Sequence, residues 1–129
     1  MSEIQQPEPL VEVLTALREG VMGVNETVIS TVDGLLVAAD VDAVHPESIA
    51  ALSAATHSLA LRMAHEAGGT GLREVATRSA DRHVVVQAIN ARALLTVLGD
   101  DGLDLARLQR DIHTTIEQLA KILESDSPS

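Results

Sequence analysis

Cysteine, phenylalanine, tyrosine and tryptophan are all absent from this 129-residue chain. Without cysteine there is no disulfide framework, no thiolate nucleophile and no sulfur ligand for a metal. Without aromatic rings there is no platform for stacked nucleobases and no cage for a quaternary ammonium group. Positive charge is scarce too: nine Lys and Arg stand against 19 Asp and Glu, a formal net charge of −10. That field repels polyanions, so neither nucleic acid nor an anionic membrane is an expected partner. No run approaches about 18 consecutive apolar residues, which argues against a transmembrane helix. The polar, acidic stretch from Met1 to Pro9 lacks the basic-then-apolar order of a signal peptide. A cytoplasmic location is the expectation.

What the chain does have is Leu, Val, Ile, Ala and Met: 46% of residues are apolar and 22% charged, the balance of a folded domain. A chain of this size suits one domain and buries roughly two-thirds of its unfolded surface, so no metal or disulfide staple is needed. Residues 1–8 read as a disordered lead, 9–124 as the domain and 125–129 as a disordered tail.

Leu10, Leu14, Leu17 and Val21 recur at helical spacing after Pro9, and Gly20 and Gly23 close the segment. Thr27 to Val32 is β-branched at most positions. Asp33-Gly34 then separates it from Leu35-Leu36-Val37, a hairpin signal. Pro46 opens a long helix that Gly68-Gly69 stops. Leu72 to Ala80, His83 to Asn90 and Arg92 to Leu98 read as three more strands with hairpin-length connections. A third helix follows Asp100-Asp101-Gly102, with Leu105, Leu108, Ile112, Leu119, Ile122 and Leu123 along one side. The order α-β-β-α-β-β-β-α predicts an α+β sandwich with a five-stranded antiparallel sheet.

The motifs of chemistry are missing. No GxxxxGK[ST] is present, and Gly68-Gly69-Thr70-Gly71 reads as a helix stop before a strand. His57 and His65 share a helix face but stand eight residues apart, about 12 Å, too far to share one metal. His45, His83 and His113 are scattered. Ser30 and Thr31 lack a neighbouring histidine, and no nucleophile elbow surrounds them. The sequon Asn25-Glu26-Thr27 has no physical meaning without a secretion signal. No catalytic residue, cofactor or metal is therefore expected.

The pattern resembles the Roadblock / dynein light chain family. The resemblance rests on Val28-Ile29-Ser30-Thr31-Val32-Asp33-Gly34-Leu35-Leu36-Val37-Ala38, the Ala-rich second helix, Gly71-Leu72-Arg73-Glu74-Val75, and the helix after Gly102-Leu103. It spans about Leu10 to Leu123 and is nearest to bacterial, conservon-type members. It implies a homodimer whose sheets join through the third strands and whose second helices pair across the axis. It further implies a Ras-like small GTPase as partner, with stimulated hydrolysis among the possible outcomes, and a sensor kinase-like protein from the same operon.

Helix two supports two contact faces independently: Ile49, Leu52, Leu59 and Met63 form one stripe, Ala50, Ala54 and Leu61 another. Small Ala50, Ala51, Ala54 and Ala55 suit close helix approach. Ile49, Leu52, Leu59 and Met63 are expected to pack in the core. Thr56, His57, Leu61, Arg62 and His65 are expected on the interaction side, with Leu72, Arg73, Glu74, Val75 and Thr77 along the dimer edge. Arg73, Arg78, Arg82 and Arg92 are candidates for reaching a partner, and none is singled out. The alternative is a profilin-like sensory domain with a small-molecule pocket, which a chain without aromatics is poorly equipped to build.

Overall fold

A computed structural model of the chain describes residues 8–125; the N-terminal lead over 1–7 and the tail over 126–129 lie outside the described residues. The elements are α1 (Glu8–Gly20), β1 (Val24–Thr31), β2 (Leu36–Asp40), α2 (Pro46–Glu66), β3 (Val75–Arg78), β4 (Arg82–Ala88), β5 (Ala93–Asp100) and α3 (Leu105–Ser125). They follow the expected order. The strands form one sheet in the order β2-β1-β5-β4-β3, with every neighbour antiparallel.

The long strands β1 and β5 lie adjacent in the sheet because their runs of Val, Ile, Leu and Thr are buried on both faces. The Asp33-Gly34 turn behaves as its chemistry requires. Gly34 takes φ +97°, a left-handed conformation that costs it little. Its N–H donates to the Thr31 carbonyl at 3.0 Å, and the Thr31 N–H donates to the Leu35 carbonyl at 2.8 Å.

Alternation along each strand assigns the faces. One face carries Ile29, Val85, Leu95 and Val97, covered by Leu10, Leu14 and Leu17 of α1 and Leu108, Ile112 and Leu119 of α3. The other carries Val28, Val86 and Leu94 beneath Ala50 and Ala54 of α2.

The third strand is shorter than the sequence suggests. Ladder pairing covers Val75–Arg78 only, so Leu72, Arg73 and Glu74 precede the strand, and Ser79 and Ala80 belong to the turn after it. Gly71, at φ +69°, bends the chain just before this segment. Arg73 and Glu74 leave the ladder to line an open hollow of about 340 Å3 with Gln87, Gln109, Ile112 and His113.

Candidate interaction surface

Helix α2 is firmly delimited. His45 Nδ1 accepts the Ser48 N–H at 3.4 Å, and Pro46 occupies the first turn, where its missing donor costs nothing. At the other end Gly68 takes φ +82°, and the Gly69 N–H donates to the Ala64 carbonyl at 2.8 Å, the wrap of a Schellman-type stop.

Which side of α2 faces the sheet corrects the expectation. The buried residues are Ala50, Ser53 and Ala54. Leu52, Leu59 and Met63, expected in the core, are 63%, 62% and 71% exposed, and only Ile49 of that set packs inward, against the cluster of Val28, Ala39 and Ala50. The physical reason lies in the sheet below, where Val28, Val86 and Leu94 already fill the space beneath the helix. Small residues let the helix settle close, and the Thr96 hydroxyl donates to Ser53 Oγ at 2.6 Å in a buried clamp between helix and sheet. A leucine at position 53 or 54 would lift the helix off.

Leu52, Ala55, Leu59 and Met63, spaced by three and four, therefore form an outward apolar stripe on α2. The hairpin tip adds to it: a Cβ at Gly34 would lie 3.4 Å from Ala51 Cα, and neighbouring Leu35 is 68% exposed. Of the residues expected on the interaction side, Arg62, His65 and Leu61 are placed away from the sheet core, with Leu61 and Arg62 exposed, whereas Thr56 and His57 are less open. Burial holds the His57 imidazole below its ordinary pKa. β3 packs against α2, and among the described residues no further strand pairs with its outer edge. Val75 is half-buried under α2, and Thr77 is exposed.

Sequence reasoning missed Glu26. This carboxylate is 3% exposed, and its Oε2 accepts backbone N–H groups from Asp42, Ala43 and Val44 at 2.8, 2.7 and 3.0 Å. Arg82 Nη2 lies 3.5 Å from the other oxygen. Burial pushes this carboxyl up, but the three backbone donors and the Arg82 charge outweigh it, so it stays below its ordinary value. Glu26 thereby fixes the loop that aims α2 across the sheet. The signal was an acid directly before the β-branched run Thr27–Val32.

Among the described residues, Arg82 pairs with Glu26, Arg18 with Asp40 at 2.7 Å and Arg107 with Asp111 at 2.9 Å. The side chains of Arg62, Arg73, Arg78 and Arg92 form no ion pair there. Ser30 Oγ is buried without a partner, and Thr31 Oγ1 accepts the Leu35 N–H at 3.0 Å within the turn. No three His, Asp or Glu side chains among the described residues converge in a metal-binding group. Surface hollows of about 270 and 350 Å3 lie open to solvent rather than enclosing a ligand. No helix among the described residues is long and apolar enough to cross a membrane.

A model of the Roadblock/LC7 domain family matches residues 10–99. Among solved structures, a Roadblock/LC7 domain from Streptomyces avermitilis is similar at 20% identity with a TM-score of 0.82, over 88% of this chain and 96% of that one. The gliding protein MglB from Thermus thermophilus gives 0.80 at 20% identity, over 92% and 90%. An MglB in a tetrameric arrangement gives 0.82 at 20% identity, over 96% of both chains. No curated protein matches the sequence. At these identities the likeness to solved structures is one of fold.

Proposed function

Because this chain belongs to the Roadblock/LC7 domain family, we propose that it is a non-enzymatic, cytoplasmic, homodimeric platform that binds a Ras-like small GTPase and regulates its cycle. The observation that carries the reading is the outward stripe Leu52, Leu59 and Met63 beside the open edge of β3. Fully burying each such side chain contributes roughly 1.5–3 kcal/mol, so leaving three in water makes sense on a surface that is covered in use. A two-fold partner covers a stripe and an edge together, since the same patch serves both copies. The tetrameric arrangement named for a related MglB favours such self-assembly.

In this reading the dimer presents its unpaired arginines to the GTPase, while the nucleotide and its chemistry belong to the partner. Arg62, Arg73, Arg78 and Arg92 are the candidates for a finger that neutralises charge developing on the transferred phosphate. A sensor kinase-like protein of the same operon is the proposed second partner.

Light scattering on the purified chain tests the first half. A dimer is expected, and Leu59→Asp should yield monomer with an unchanged far-UV spectrum. The second half is tested by capture with small GTPases loaded with a GTP analogue or GDP. Nucleotide-dependent retention of an identified GTPase supports the platform. Retention in neither state removes the GTPase from the reading and leaves the dimer.

A further inference from the structure

Two turns meet at the end of the sheet where β1 starts and β5 stops. The Met22 carbonyl accepts the Asp104 N–H at 3.0 Å, and the Gly23 carbonyl accepts the Asp100 N–H at 3.0 Å. Gly23 takes φ +89°, and a Cβ there would clash with the Leu103 backbone, so the two turns are pressed together. Val21 and Val24 are buried, yet Met22 between them is 78% exposed. We propose that this end of the molecule, with Met22 as its anchor, docks a basic amphipathic segment of a partner protein.

The methionine is held out by a fixed backbone. The bond from the Asp104 N–H also brings Leu105, 37% exposed at the start of α3, into the same neighbourhood. Around these two apolar side chains the charge has one sign. Over residues 18–26 and 99–106 the one cation is Arg18, and Asp40 already holds it at 2.7 Å. Against it stand Glu19, Asp100, Asp101 and Asp104, besides the buried Glu26. Glu19 and Asp101 are exposed and form no side-chain hydrogen bond or ion pair among the described residues.

Charge selects the occupant. A second copy seated by the same end would set like charges against each other, since a two-fold contact uses one patch twice. Nucleic acid and an anionic membrane are repelled for the same reason. A cationic protein segment is attracted and oriented by the carboxylate rim. The thioether side chain, flexible and polarisable, adapts to whatever apolar residue that segment brings. A basic amphipathic segment carries both groups on opposite sides, the composition read by acidic, methionine-bearing surfaces. Met22 follows α1 and Leu105 opens α3, the helices that cover the face opposite α2. The surface therefore stands apart from the α2 stripe, and the proposal does not depend on the dimer.

Fluorescence anisotropy with two labelled peptides and the full chain tests this. One peptide is a helix with lysines along one side and leucines along the other; the second keeps the lysines and has serine for leucine. The first should bind about tenfold more tightly, because burying even one apolar side chain is worth that ratio. Met22→Ser should remove most of the difference while leaving the far-UV spectrum and the unfolding midpoint unchanged. Glu19→Lys combined with Asp101→Lys should weaken both peptides, and added salt should weaken the wild type more than this variant. Equal binding of the two peptides, or an unchanged affinity in Met22→Ser, overturns the proposal and leaves diffuse charge attraction. A loss in Leu59→Ser without one in Met22→Ser seats the peptide on α2 and overturns it equally. Binding of neither peptide overturns it outright.

Discussion

The two faces of the sheet are closed by opposite means. On the α1/α3 face, leucines at 10, 14, 17, 108 and 119 point inward and form one continuous cluster with β1, β4 and β5. On the α2 face the inward residues are Ala50, Ser53 and Ala54, and the leucines of that helix look outward. The first face resembles the core of any small domain, where large side chains interlock. The second holds its helix by close approach, one hydroxyl clamp and one anchored loop, leaving the large apolar groups of the helix exposed. Large apolar side chains thus build the core on one side of the sheet and stay exposed on the other.

That division implies graded responses. Leu14→Ala, on the thick face, should cost about 3–4 kcal/mol in denaturant unfolding, because a fully buried leucine leaves a cavity. Glu26→Ala should cost about 2–3 kcal/mol at neutral pH, since several backbone donors lose a charged acceptor. Because the folded carboxyl lies below its ordinary value of 4.5, its contribution is complete above that pH. It is lost as pH falls through the lowered folded value, so the gap between wild type and variant should close in acid. Thr96→Val, which removes the clamp onto Ser53, should cost about 1 kcal/mol.

His57 is held below 6.5 by burial, so the fold favours its neutral form. Its contribution is therefore full above that pH and declines as pH drops through the lowered value. Unfolding curves of His57→Gln between pH 7 and 5 should show a shallower pH slope than wild type. Leu59→Ser should change unfolding by no more than about 0.5 kcal/mol when measured dilute enough to keep the chain dissociated, as for an exposed site.

The sequence read well where local chemistry decides. β-branched runs marked the strands, Asp33-Gly34 marked the hairpin, and the 10-14-17 spacing marked α1 with its buried side. It misread α2 because periodicity finds an apolar stripe without saying which stripe meets the sheet. The usual assumption sends leucine inward, and here the valines and Leu94 of the sheet leave room only for alanine and serine. It overran β3 because Leu72-Arg73-Glu74 has nothing against a strand locally, while the ladder that would confirm it begins only at Val75. Glu26 stayed hidden because its partners, residues 42–44, lie far along the chain in a loop with no motif of its own.

The Glu26 carboxylate also ties together two places that look independent. One of its oxygens holds the backbone leading into α2, and the other faces Arg82, the first residue of β4 after the turn from β3. The helix stripe and the strand edge thus hang from one pin. A load that drags α2 across the sheet must strain the same carboxylate that steadies the β3–β4 hairpin, so the two halves of the surface yield as a unit.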